Sequence, residues 1–346
     1  MIRAARSAAR IPLALLAVAF LGTAAVSEPT YRMLDFRDLS GWEGDDHGAA
    51  LAVFANTCAD LDSETWGPLC ALAQQRPDAQ WFFETFFRPV VAGGETAALF
   101  TGYYEPELVG SPTPDDRFRY AVYARPPEAD AEWFSRQEIE ERKLLEGQGL
   151  EIAWVEDPVD LFFLQIQGSG RIRFPDGSAL RLGYGGGNGQ PYRSIGAELV
   201  RRGEFQAHQV SAAAIRKWVK DNPEAGQELL NFNPSYVFFR TLPGLRSDLG
   251  PLGAMNRPIT PLRSVAVDPA FVPLGAPVWV EKSGRSPMRR LMVAQDTGAA
   301  IKGAQRADIF FGTGAQAGRR AGRIRDGGRL VMLLPIEMAF RLRPEG

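Results

Sequence analysis

The chain is 346 residues long, enough for one large or two ordinary domains with a sizeable core. Apolar residues make up 45% and charged residues 23%, which excludes a disordered or polybasic chain, and 36 Gly and 25 Pro spread along the sequence point to turn-rich β structure rather than a helical bundle. A net charge of −2 lacks the cationic footprint of a nucleic-acid binder, and two His and two Cys in no metal-ligand spacing leave no usual zinc site.

Arg3, Arg6 and Arg10 precede the apolar stretch Ile11–Leu21 and the small residues Gly22–Ala25, the layout of a secretory signal peptide over residues 1–27, cleaved near 25–27. About eleven apolar residues are too few for a membrane-spanning helix. Removing this segment leaves 36 basic against 41 acidic residues, a net charge of about −5. No Cys follows the apolar stretch to take a lipid anchor, so the expectation is a periplasmic soluble protein. In an oxidising compartment Cys58 and Cys70 can pair across the turn Asp60–Trp66, with two inert buried thiols as the alternative.

Residues 34–98 read mostly helical, with apolar residues at three and four spacing in Ala49–Asp60, Cys70–Gln75 and Trp81–Phe87. From Ala97 the pattern turns to strands at Ala97–Tyr104, Tyr120–Tyr123, Leu161–Gln167, Arg171–Phe174 and Ala179–Tyr184. Helices interrupt this run at Arg136–Glu146, opened by a Ser135/Glu138 capping box, and at Ser194–Arg202, Ser211–Asn222 and Glu224–Asn231. The tail predicts six strands, Tyr236–Phe239, Arg263–Val267, Pro277–Val280, Arg290–Gln295, Ala307–Phe311 and Arg329–Leu334, with a small-residue helix Ala315–Ala321 among them. Such short strands jointed by Pro and Gly suggest a small closed barrel.

Asp268, Asp296 and Asp308 each adjoin an apolar strand end, where a lone Asp is a turn or cap residue. Brought to one barrel mouth, however, repulsion and apolar neighbours would hold one of them protonated. Asp296-Thr297-Gly298 matches the aspartic-protease triplet, but that chemistry needs two such carboxylates and the chain has one triplet. Gly312–Ala317 imitates a dinucleotide fingerprint with too little chain after it, so tight helix packing through small residues is the better account. The glycine run Gly183–Gly189 is a flexible turn or a close approach of backbone to ligand.

Phe100-Thr-Gly-Tyr-Tyr-Glu-Pro, Gln165-Ile-Gln-Gly-Ser-Gly, Pro191-Tyr-Arg-Ser-Ile-Gly, Asn233-Pro-Ser-Tyr-Val-Phe-Phe, and Asp296-Thr-Gly-Ala-Ala-Ile-Lys-Gly followed by Ala307-Asp-Ile-Phe-Phe-Gly resemble, in order, the membrane-bound lytic murein transglycosylase A family. The match covers most of residues 95–335, and the tail, about 260–335, resembles the domain named for three aspartates (3D). The resemblance implies a mainly β protein with helices: a double-psi β-barrel from both chain ends (28–105 and 232–346), an inserted β-rich domain (106–231), and a glycan groove between them. It also implies cleavage of the β-1,4 bond between N-acetylmuramic acid and N-acetylglucosamine with a 1,6-anhydro product, and no cofactor or metal. Peptidoglycan glycan strands are the implied partner, with cell-wall synthesis or division proteins as further candidates. The best-known members are lipoproteins, so the missing anchor Cys leaves outer-membrane association open while leaving catalysis untouched.

Ordinary glycosidases need two carboxylates, whereas here the C6 hydroxyl of muramic acid is an internal nucleophile, so one carboxyl can serve as acid and then base. The resemblance gives that role to Asp308, with support from Asp296 and Asp268. It assigns substrate contacts to Tyr103, Tyr104, Gln165, Gln167, Ser169, Arg193 and Lys302. A non-catalytic peptidoglycan-binding protein on the same fold is the alternative, and Asp308 speaks against it because a binding module needs no buried acid.

Overall fold

The structure is a computed structural model that describes residues 30–94, 96–129 and 132–342; the signal-peptide expectation falls outside them. In chain order the elements are β1 (Tyr31–Met33), α1 (His47–Thr57), α2 (Ser63–Gln74), α3 (Ala79–Phe86), β2 (Phe87–Ala92), β3 (Leu99–Glu105), β4 (Glu107–Ser111), β5 (Tyr120–Tyr123), α4 (Arg136–Glu141), β6 (Glu151–Val155), α5 (Pro158–Gln167), β7 (Gly170–Arg173) and β8 (Ala179–Gly187). There follow α6 (Ile195–Arg201), α7 (Ala212–Asp221), α8 (Pro223–Phe232), β9 (Val237–Thr241), β10 (Ser264–Val267), β11 (Pro277–Lys282), β12 (Met288–Asp296), β13 (Arg306–Thr313), α9 (Gly314–Ala321), β14 (Arg325–Asp326), β15 (Gly328–Pro335) and α10 (Ile336–Arg341).

The strands form two sheets. One has nine strands in the order β1-β2-β15-β11-β12-β10-β13-β3-β14 and draws on both ends of the chain; the other has six, β5-β6-β4-β7-β8-β9, from the middle. Central strands β11 and β15 are apolar over long stretches, and Trp279, Val280, Val331 and Leu333 are all fully buried, as befits strands covered on both faces. One cover is the aromatic cluster of Phe54, Trp66, Phe82, Phe83 and Phe87, which α1 to α3 press onto the sheet. The side chains of Asp46, Asp62 and Asp78 each accept first-turn amides of these three helices, fixing where they start. A Cys58–Cys70 disulfide ties the end of α1 to α2.

Several sequence expectations need correction. Leu161–Gln167, read as a strand, lies in α5. The run Leu-Phe-Phe-Leu suits either structure, but Asp157 caps the amides of Val159 and Asp160, Pro158 occupies the first turn, and Gly168 closes the helix at φ +71°. Residues 87–92, read within a helical region, form β2 between β1 and β15, and strands β4 and β6 were not foreseen. Val237–Thr241, expected in the tail barrel, pairs instead with β8 in the six-stranded sheet. Among the described residues no pairing closes the nine-stranded sheet into a ring: its outermost strands are three and two residues long and pair only inward. The six-stranded sheet comes nearer to closure, through a bridge between Ala124 and Phe239 at its two edges.

Candidate active site

The site grows from two parallel neighbours, β3 and β13, whose register sets Thr101 beside Asp308 and Tyr103 beside Phe310. Alternation along β3 sends Thr101, Tyr103 and Glu105 to one face and Gly102 and Tyr104 to the other. The second face is closed by α9. A Cβ on Gly102 would lie 2.8 Å from the Ala321 backbone and from the Phe311 ring, and one on Gly318 would lie 2.8 Å from the Tyr104 ring. Small residues in α9 therefore serve close helix packing, and Tyr104 packs against that helix and the core.

On the first face, the Thr101 hydroxyl donates to Asp308 Oδ1 at 2.5 Å and receives Arg306 Nη2 at 2.8 Å. Arginine only donates, so the threonine's single proton is directed at Oδ1, leaving Oδ2 to carry an acidic proton. Burial pushes Asp308 up to about 6; Thr101 and the Arg306 charge oppose this, and the charge of Asp296 adds to it. Asp296 and Asp308 are both registered against Ala266 of β10, the one strand between them. Tyr103, its ring 5.3 Å from that of Phe310, donates its hydroxyl to Asp296 Oδ2 at 2.9 Å. The backbone amides of Ala254 and Thr297 hold Asp296 Oδ1, yet burial still pushes this carboxyl up to about 6. Burial and the Asp296 charge together keep the Tyr103 phenol well above its ordinary value, so it stays a donor.

The remaining predicted residues divide. Asp268, buried, accepts from the amides of Ala270 and Gly303, bracing the loop that leads into β13; no hydrogen bond or ion pair joins it to Asp296 or Asp308 among the described residues. Gln167 Oε1 receives the Tyr104 amide at 3.0 Å, so the end of α5 lies against β3. Gln165 turns inward and is bonded by the buried Arg136, while Ser169 is buried just beyond α5. Arg193 is exposed with its guanidinium 5.9 Å from the Phe232 ring, and Lys302 is exposed in the loop before β13. Thr101 and Arg306 were overlooked as site residues, though each stands two positions before a predicted one, on the same strand face. Among the described residues no group of three His, Cys, Asp or Glu side chains is placed to hold a metal ion, and no helix is long and apolar enough to cross a membrane.

Comparison with known proteins gives this arrangement a lineage. The MltA specific insert domain matches residues 99–240, and the 3D domain matches residues 263–334. The membrane-bound lytic murein transglycosylase A of Vibrio cholerae is 36% identical over 263 residues, spanning 71% of this chain and 69% of that protein. The crystal structure of a membrane-bound lytic murein transglycosylase from Agrobacterium tumefaciens superposes with a TM-score of 0.79 at 34% identity, covering 91% of this chain and all of that one. The structure of Escherichia coli MltA with bound chitohexaose gives a TM-score of 0.70 at 31% identity, over 84% of this chain and 90% of the other. The chain belongs to the membrane-bound lytic murein transglycosylase A family.

Proposed function

We propose that this chain is a lytic transglycosylase that cleaves the bond between N-acetylmuramic acid and N-acetylglucosamine in peptidoglycan, with Asp308 as its general acid and base. The observation that carries the reading is a carboxyl pushed up to about 6 and oriented through Thr101 by Arg306. Asp308 Oδ2–H protonates the glycosidic oxygen as the C1–O bond breaks. The C6 hydroxyl of the same muramic acid then attacks C1 and returns its proton to Asp308, so no water is consumed and the acid is restored. Asp296 and Tyr103 support the site by bringing a hydrogen-bonded pair next to it, and Asp268 by fixing the loop ahead of β13. The same reading places the protein in the periplasm at the outer membrane, acting on glycan strands in the groove between the two sheets.

Digestion of purified sacculi with mass analysis of the products tests it. The main products should be 1,6-anhydromuropeptides, each lighter by one water than a lysozyme-type product. Reducing-end muramic acid as the main product, or inhibition by a chelator, defeats the reading. So does a protein that binds glycan but releases nothing.

A further inference from the structure

The second sheet carries a cleft that the chemistry above does not use. Strand β6 pairs with β4 only at Gly110 and Ser111 and then leaves for α5, so Glu107–Val109 have β7 on one side and, among the described residues, no strand on the other. The Pro106 carbonyl takes the Arg171 amide on the β7 side, and alternation turns the backbone groups of Glu107 and Val109 to the open side. A cleft of about 790 Å³ lies along this edge, with residues of α7, α8 and the loop before β5 forming the rest of its wall. Such a concave volume suits a small molecule or a short peptide rather than a flat protein face.

Most charges on that wall are already matched: Glu107 by Arg173 at 2.6 Å, Glu156 by Arg117 at 2.8 Å, and Asp160 by Arg216. Three exposed ones are not. Arg119, its guanidinium 5.8 Å from the Tyr120 ring, and Lys220 meet no carboxylate, and Asp116 meets no cation, among the described residues. Val109, 51% exposed, adds apolar surface beside them. The cleft is also apart from the acid, since neither Thr101, Asp296 nor Asp308 lines it. Its Arg216 and Asp160 lie near Tyr104, whose phenol burial pushes up while the Arg216 charge draws it down, and Tyr104 is on the face of β3 turned away from Thr101. The open edge, two free cations and one free carboxylate together call for a short extended peptide bearing both carboxylates and an amine. The peptides that hang from peptidoglycan glycan strands have that chemistry.

We propose that this cleft binds a peptidoglycan stem peptide, with Arg119 and Lys220 taking its carboxylates, Asp116 its amine, and the backbone of Glu107 and Val109 its amides and carbonyls. The proposal rests on the transglycosylase reading and deepens it: the protein holds the wall by its peptides at a place separate from where it cuts the sugar. A sugar-free stem tetrapeptide titrated calorimetrically into the full-length protein tests it, since that peptide contains no glycosidic bond to cleave. Arg119→Glu combined with Lys220→Glu should weaken binding about tenfold, while Arg119→Lys combined with Lys220→Arg should stay within about twofold of the parent. A parent protein that takes up no tetrapeptide overturns the proposal, as does equal binding by the charge-reversed pair, or a charge-keeping pair as weak as the reversed one. Chitohexaose whose binding falls in the reversed pair would assign the cleft to sugar and overturn it. An ordinary L-tetrapeptide of the same charges that binds more tightly than the stem peptide would assign it to a protein segment, and overturns it too. Failure of the enzyme reading is separate, because sacculus digests would then lack anhydro products while tetrapeptide binding still depended on Arg119 and Lys220.

Discussion

Thr101 and Glu105 leave the same face of β3 about 13 Å apart, and each meets a buried carboxylate environment of opposite design. At the Thr101 end, Asp308 is separated from the Arg306 guanidinium by a hydroxyl, and burial wins. At the other end Glu105, fully buried, takes Arg171 Nε at 2.9 Å, Arg181 Nη2 at 2.8 Å and the Thr313 hydroxyl at 2.7 Å. Those arginines come from β7 and β8 of the second sheet and also bond the carbonyls of Arg246, Ser247 and Leu249. Direct contact with two guanidiniums makes Glu105 a clamp between sheets. A single cation held one hydroxyl away leaves Asp308 free to carry a proton.

The contrast separates cleanly by mutation. Asp308→Asn keeps shape but cannot donate a proton, so turnover should fall by about 10² to 10⁴ while the fold persists. Glu105→Gln should do the reverse: the buried Arg181 and the largely buried Arg171 lose their counter-charge, and stability should drop by about 3–5 kcal/mol in a denaturant titration. A Glu105→Gln protein of wild-type stability would show that the clamp is idle.

A smaller effect follows from linkage. The folded carboxyl of Asp308 sits near 6, above an ordinary 3.8, so its contribution to stability is fully present below about pH 4 and is lost as pH rises through 6. Asp308→Asn buries no charge. It should therefore be more stable than wild type at pH 7.5, by roughly 1–3 kcal/mol, and the gain should vanish by pH 4. Equal stability of the two proteins at pH 7.5 would mean that Asp308 is not burdened by burial.

Much of this was legible in the sequence because local signals agreed with the fold. The Ser135/Glu138 capping box forms as read, though α4 ends at Glu141 rather than 146, and the tail strands carrying Asp296 and Asp308 lie where their apolar runs put them. Legibility failed where one pattern served two structures, as in Leu161–Gln167, or where long-range pairing decided, as for β2 and β9. The Glu105 clamp spans more than sixty positions of sequence to each arginine, and no local pattern connects them. Tyr103 and Tyr104 look alike as neighbours in a motif, but alternation gives one to the site and the other to α9.

The finest test concerns the hydroxyl that sets Asp308 apart from Glu105. Thr101→Val keeps the β-branched shape that β3 accommodates and removes only the hydroxyl that donates to Asp308 and accepts from Arg306. That hydroxyl holds the Asp308 carboxyl down, against burial, so its loss should raise the carboxyl further above about 6. In the activity profile the acid must be protonated, so the alkaline limb of kcat/KM should move to higher pH. Orientation is lost at the same time, which should lower the plateau rate by up to about tenfold, the effect expected for one neutral hydrogen bond. Thr101→Ser should restore both features. A purely structural threonine would lower the rate without moving the limb, and a limb that stayed in place or moved to lower pH would refute the relay from Arg306 through Thr101 to Asp308.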